Sequence, residues 1–177
     1  GPVGVVWCLV VGLQTVRGAG FGIYEGSARG NALGGTMVGR ADDPSALYFN
    51  PAGITQLSGL QVMGGATLIR PSMTVKTMTP AGEVSTETED NILVPPHLYG
   101  TYQVSDSIWA GMGLFSRFGL GTEFPSDWPG RYNNYDAEIQ TLTLNPDVAF
   151  QLNDQISVAA GVNATAFDLT LKQKVPT

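Results

Sequence analysis

Residues Thr141 to Leu152 read TLTLNPDVAFQL, and they alternate without a break. Leu142, Leu144, Pro146, Val148, Phe150 and Leu152 share one parity, while Thr141, Thr143, Asn145, Asp147, Ala149 and Gln151 share the other. Successive side chains of a strand point to opposite faces, so this run is a β-strand whose two faces meet different surroundings. An apolar face of this kind is met either by the core of a soluble sandwich or by lipid around a transmembrane barrel. The sequence on either side decides between them.

The same alternation recurs outward from this stretch. In HLYGTYQV, Leu98, Tyr102 and Val104 oppose His97, Thr101 and Gln103. In SIWAGMGLF, Ile108, Ala110, Met112 and Leu114 oppose Trp109, Gly111, Gly113 and Phe115. LQVMGGATLIR, Leu60 to Arg70, is a weaker strand with room to run on to about Thr77. In QISVAAGVNATAFDLTLK the apolar positions are first even (Ile156, Val158, Val162) and then odd (Phe167, Leu169, Leu171). That switch predicts a bulge near Asn163–Ala166, because one extra residue exchanges the faces of a strand.

The connections alternate in length. TPAGEVSTETEDN is long and acidic, SDS is tight, EFPSDWPGRYNNYD is long and aromatic, and NDQ is tight. Long loops at one end and short turns at the other are the habit of outer-membrane barrels. Tyr99, Trp109, Phe124, Trp128, Tyr132 and Tyr135 lie near strand ends, as interfacial girdle aromatics do. The fold expected is all-β, an antiparallel transmembrane β-barrel represented by about five strands over residues 59–177. Five strands cannot close, and lipid does not tolerate open sheet edges, so further strands are expected beyond Thr177.

Composition agrees. Only 14% of the 177 residues are charged, against about 25% in a typical soluble domain. The net charge of −6 and the lack of any Lys/Arg cluster exclude a nucleic-acid partner. The single cysteine, Cys8, sits in the apolar run VGVVWCLVVGL. That run is too short for a membrane-spanning helix, which takes about 20 residues. Val16 and Gly18 are small residues at positions −3 and −1 before Ala19. Residues 1–18 therefore read as a secretory signal peptide, truncated of its basic leader, rather than a buried strand or short core helix. A chain starting at Ala19 has no cysteine and hence no disulfide.

Residues 19–58 differ in kind. They are rich in small residues and show no alternation, and ADDPSALYFNPAGIT contains two proline-started turns. Asp43 can cap one turn with Pro44 at its first position, and Asn50 can cap the other with Pro51. Short helical turns with many glycines and alanines suit a hatch packed closely inside a barrel, with an ordinary N-terminal helical hairpin lying against a sheet as the alternative.

The order of these segments resembles the FadL/TodX family, transporters of long-chain fatty acids and hydrocarbons in Gram-negative outer membranes. The segments that carry the resemblance are AGFGIYEGSARGNALGGT, ADDPSALYFNPAGIT, LVPPHLYGTYQVSDSIWAGMGL, FGLGTEF and LTLNPDVAFQLNDQISVAAGVNA. They run in the family's order from Ala19 to about Lys174. The resemblance implies a fourteen-stranded barrel blocked by an N-terminal hatch, with Asn50, Pro51 and Ala52 as its Asn-Pro-Ala turn. It implies passive uptake of hydrophobic compounds, without catalysis or cofactor, and hatch-gated release sideways through the wall. Gly119 matches the position where the family's third strand kinks, and Gly121 adds flexibility beside it. A strand simply ending in a turn is the alternative at Gly119.

Phe124, Trp128 and Tyr132 are candidates for a ligand-capturing outer surface, with membrane-interface anchoring as the alternative. If the apolar residues Phe167, Leu169 and Leu171 face lipid, Lys172 and Lys174 face the lumen, where they could meet a fatty-acid head group. Acid-binding members carry basic residues in this neighbourhood, at a register nearer Gln173. A solvated loop end is the alternative for both lysines, and a neutral hydrocarbon needs no such cation. The expected partners are hydrophobic small molecules and outer-membrane lipid or lipopolysaccharide, and the expected state is a monomer.

His97 is the lone histidine, so neither a metal site nor a Ser/His/Asp arrangement has support. The acidic run EVSTETED reads as a solvated outer loop. The rival is a secreted β-sandwich binding or adhesion domain. It requires Leu142, Leu144, Val148 and Phe150 to be buried, whereas the barrel requires them to face outward.

Overall fold

A computed structural model describes residues 22–175, together with the backbone of Val5–Val6, which pairs with Ala166 and Thr165 at one sheet edge. The signal-peptide expectation for residues 1–18 otherwise lies outside the described residues. After three short helices, α1 (Ala28–Ala32), α2 (Met37–Arg40) and α3 (Ala46–Phe49), comes a 3₁₀ helix, Pro51–Gln56. The strands follow: β1 (Leu60–Ala66), β2 (Thr74–Thr79), β3 (Gly82–Glu87), β4 (Pro96–Ser105), β5 (Ile108–Phe115), β6 (Gly119–Glu123), β7 (Asp136–Asn153), β8 (Ile156–Gly161) and β9 (Ala164–Lys172).

β1, β4, β5, β7 and β9 are consecutive neighbours in one antiparallel sheet, and β6 and β8 also pair with β7. β5 and β6 are thus two halves of one long strand, and β8 and β9 two halves of another. The wall has the five strands that the alternation predicts. Tight turns join β4 to β5 and β7 to β8, while the long connections lie at the opposite end.

Alternation becomes two faces of different fate. Leu142, Leu144, Val148 and Phe150 are 41, 44, 39 and 40% exposed. Leu60, Val62, Leu98, Tyr102, Met112 and Val158 extend the same uncovered apolar face across the sheet. A sandwich would have buried these side chains, so the sandwich reading fails here. The opposite face is covered by the helical segment: Leu47, Ile54 and Leu57 pack with Ala41 and Ala46 against Tyr99, Trp109, Phe115 and Ala149 of the wall. Leu47 and Ile54 are essentially inaccessible.

Small residues permit this closeness. A Cβ on Gly111 of β5 would lie 2.4 Å from a methyl carbon of Leu47, and one on Gly53 would lie 2.1 Å from the Cβ of Ala41. The two proline turns form as expected, with one difference. Asp43 accepts a hydrogen bond from the backbone N–H of Ser45 at 2.9 Å, capping its turn. Asn50 makes no such cap. Its side-chain amide instead donates to the carbonyl of Val38 at 2.9 Å, tying the Asn-Pro-Ala turn to α2.

Three further expectations are corrected. The acidic connection after β1 is not an open loop, because β2 and β3 pair as a separate hairpin around Pro80–Ala81. Its signal was visible: Thr- and Val-rich runs flank a turn whose Gly82 has φ of 123°. Tyr99, Trp109 and Phe124 are buried rather than set at a membrane interface. Nor does the strand from Ile156 to Lys172 contain an extra residue. Gly161 faces Asp147 and Ala164 faces Leu144, so two residues on one strand oppose two on the other. The break at Val162–Asn163 traces to Pro146. Val162 donates its N–H to the carbonyl of Pro146 at 3.1 Å, but proline has no N–H to return. The side-chain amide of Asn145 donates to the carbonyl of Val162 at 3.3 Å in its place.

Candidate functional site

The true irregularity lies on the other side of β7. Phe115 faces Thr143 and Gly119 faces Gln140, so three residues, Ser116 to Phe118, oppose two, Thr141 and Leu142. This is a bulge between β5 and β6, and bulges bend a strand and break its ladder. The Thr141 hydroxyl fills the break: it accepts the N–H of Phe118 at 3.0 Å and donates to the carbonyl of the same residue. Gly119 is the first residue of β6, immediately beyond the bulge, and Gly121 follows within it.

The start of the helical segment closes over this point. Gly22 bridges Phe118 in antiparallel fashion, and Ile23 donates its N–H to the carbonyl of Arg117 at 2.8 Å. A Cβ on Gly119 would lie 2.9 Å from the terminal carbon of Ile23. The guanidinium of Arg117 sits 4.9 Å from the ring centre of Tyr48 and 5.2 Å from that of Phe115, joining hatch and wall by cation–π contacts. The Tyr48 hydroxyl donates to the carbonyl of Ile23, and burial pushes its pKa up, which keeps it a donor.

Two further wall side chains hold the hatch by its backbone. The Tyr99 hydroxyl donates to the carbonyl of Gly26 at 2.8 Å, and Nε1 of Trp109 donates to the carbonyl of Leu57 at 2.7 Å. From the sequence alone both are expected at a membrane interface. Their parity held the missed signal, since Trp109 shares the face of Gly111 and Gly113, opposite Met112 and Leu114.

Beside the bulge lies a cavity of about 560 Å³. Ile23, Ile92, Phe118, Ile139 and Phe167 give it an apolar lining, and Gly119 borders it. A second, polar cavity of about 460 Å³ lies at the tight-turn end, where Asn50, Ala52 and Thr55 meet Gln151, Asp154 and Ser157. There the hydroxyl of Thr55 donates to that of Ser157 at 2.9 Å.

The other expected site residues fall elsewhere. Phe124 is buried and stacks on Trp128 with ring centres 4.3 Å apart, so of the aromatic trio only Tyr132 is exposed. Lys172 lies across from Asp136 and pairs with it at 2.7 Å. The unbroken register puts Phe167 and Leu169 on the side of Thr141 and Ile139, which removes the premise that set Lys172 and Lys174 in the lumen. Lys174 rests 5.6 Å from the ring centre of Tyr135. Among the described residues no group of three or more His, Cys, Asp or Glu could hold a metal ion.

A sheet with an uncovered apolar face, its other face covered by a helical segment of small residues, has the architecture of an outer-membrane β-barrel wall. The comparisons make this specific. The family model of the outer membrane protein transport proteins (OMPP1/FadL/TodX) matches residues 9–177, and the chain belongs to that family of transporters. It is 30% identical over 152 residues to a long-chain fatty acid transport protein of Escherichia coli K12, covering 82% of this chain and 33% of that protein. A putative outer membrane protein of Neisseria meningitidis is 29% identical over 126 residues, covering 67% of this chain and 27% of that one. The crystal structure of a Pseudomonas aeruginosa FadL homologue superposes with a TM-score of 0.57 at 20% identity, over 75% of this chain and 34% of that chain. The chain spans about a third of the length of these relatives. It is a protein of the Gram-negative outer membrane.

Proposed function

We propose that the protein to which this chain belongs carries hydrophobic molecules, such as long-chain fatty acids or hydrocarbons, passively across the outer membrane. The observation that carries the reading is the apolar cavity of about 560 Å³ set beside a break in the wall and capped by Ile23. An apolar solute gains about 25 cal/mol per Å² removed from water, and it keeps that gain only on a path that stays dry. The break at Ser116–Phe118 supplies such a path. Across it, the backbone ladder is already replaced by one threonine hydroxyl and one hatch N–H, so less pairing must be disrupted there than in the regular wall.

In this reading the Gly22–Phe118 bridge is the gate. Movement of the hatch start releases Phe118, and the solute leaves sideways beside Gly119 and Gly121 into surrounding lipid. Tyr132, exposed in the long loop, is the residue of the aromatic trio placed to meet a solute first. The lipid partner is the outer-membrane bilayer around the apolar face, and the barrel acts as a monomer.

A disulfide across the bridge tests the gate. The double variant Gly22→Cys/Phe118→Cys of the full-length protein is expected to lose uptake of a labelled long-chain fatty acid or hydrocarbon under oxidising conditions and to regain it with a reductant. Unchanged uptake by the fully oxidised variant would contradict hatch-gated lateral release.

A further inference from the structure

The strand register sets four residues side by side on the inner face of the wall. Thr101 of β4 lies opposite Gly111 of β5, Gly111 opposite Asp147 of β7, and Asp147 opposite Gly161 of β8. Residues directly opposite one another in a sheet share a face. Gly111 is where the helical segment sits closest: a Cβ added there would collide with Leu47 and come within 3.3 Å of Ile54. Thr101 and Asp147 therefore stand on either side of that apolar contact, and the 3₁₀ helix packs on β5, β7 and β8 around it.

Both flanking side chains are polar and both are sealed, Thr101 being 1% exposed and Asp147 5%. Among the described residues, neither the Thr101 hydroxyl nor Oδ2 of Asp147 has a hydrogen-bond partner. The carboxylate leans on the bare backbone of Gly161, where an added Cβ would collide with Oδ1. Arg117 turns its guanidinium to the rings of Tyr48 and Phe115 instead. The neighbouring inward groups of β7 are satisfied. The Thr143 hydroxyl bonds that of Thr165 at 3.0 Å, and the Asn145 amide donates to the carbonyl of Val162 at 3.3 Å.

A buried polar group without a partner gives up its hydration and receives nothing in return, and the loss is larger for a carboxylate. That free energy is recovered once water reaches the group. The inner face of a barrel wall is polar and wetted where nothing covers it, so lifting the helical segment from Gly111 rehydrates Thr101 and Asp147.

We propose that Thr101 and Asp147 are release residues, which set how readily the helical segment leaves the wall. The grip of Leu47 and Ile54 on Gly111 holds the segment in place, and the two polar groups beside it oppose that grip. The inference rests on the hatch-gated reading above and adds to it the residues that ease the hatch off its seat.

Thr101→Val replaces the hydroxyl by a methyl group of similar shape, and Asp147→Asn removes the charge while keeping the outline. In the full-length protein in nanodiscs, each is expected to raise the hydrogen-exchange protection of the hatch amides about tenfold, or about 1.4 kcal/mol. Each should also slow uptake of a labelled hydrophobic solute. Thr101→Ser keeps the hydroxyl and should not raise protection. Unchanged or lower protection in either Thr101→Val or Asp147→Asn, or an equal rise in Thr101→Ser, overturns the inference and leaves the gate reading standing. Raised protection with undiminished uptake upholds the inference and counts against the gate.

Discussion

The two halves of β7 share one backbone and one alternation but border different interiors. From Thr143 to Ala149 the inward side chains are buried, and Ala149 joins the cluster in which Leu47 and Ile54 press on Gly111. From Glu138 to Leu142 the same strand borders a cavity, and the side chain of the helical segment in reach is Ile23. The difference begins at the bulge, where one inserted residue turns β6 away from the line of β5. A dry, glycine-mediated contact holds the helical segment in one half, and an unfilled apolar space remains in the other. The comparison teaches that, on the transport reading proposed above, attachment and passage are separated along a single strand.

The largest expected effect comes from emptying the contact. Ile54→Ala or Leu47→Ala should destabilise the seated hatch by about 2–5 kcal/mol, the range for truncating a fully buried aliphatic side chain. Hydrogen exchange of the hatch amides in the full-length barrel reads this directly. Equal protection in variant and wild type would mean that the contact does not hold the plug. On the outer face, Leu144→Arg should cost about 2–4 kcal/mol in the stability of the membrane-inserted barrel if the position lies near mid-bilayer, whereas Thr143→Ala, one residue away, should cost far less. Reversible unfolding in lipid vesicles compares the two.

Overfilling is the next step down. Gly53→Ala should cost about 1–3 kcal/mol, since the new methyl meets Ala41, whose own φ of 40° leaves it little room to adjust. Removing a single tie is the mildest: Trp109→Phe keeps the ring and loses the hydrogen bond to Leu57, worth about 1 kcal/mol. Both are checked by hatch hydrogen exchange. A Gly119 substitution sharpens the contrast from the cavity side. Gly119→Val should reduce uptake of hydrophobic solutes by displacing Ile23, while leaving protection around Ile54 unchanged.

Much of this was legible in the chain itself. TLTLNPDVAFQL revealed a strand with two unlike faces, and Pro44 and Pro51 marked the turns of the hatch. Alternation reports that two faces differ, however, and not which one is inside. Phe167, Leu169 and Leu171 therefore suggested an inserted residue, when the inward face itself turns apolar in that region. The real insertion at Ser116–Phe118 leaves no mark in the apolar pattern, because β6 is too short and too rich in glycine to show a parity. Trp109 and Tyr99 look like interface anchors until the hatch carbonyls they bond are placed beside them. Pairs distant in sequence, such as Gly22 with Phe118, had no local signal at all.

The central claim is that the even-numbered residues of β7 from Leu142 to Phe150 face lipid and the odd-numbered ones between them face the helical segment. Single cysteines at 142, 143, 144, 147, 148 and 150 of the full-length protein in bilayers, labelled with a nitroxide, test it through collision with lipid-soluble oxygen. High oxygen accessibility at 142, 144, 148 and 150, with low values at 143 and 147, is the predicted result. Low oxygen accessibility at all four even positions, or no alternation along the strand, would contradict the account.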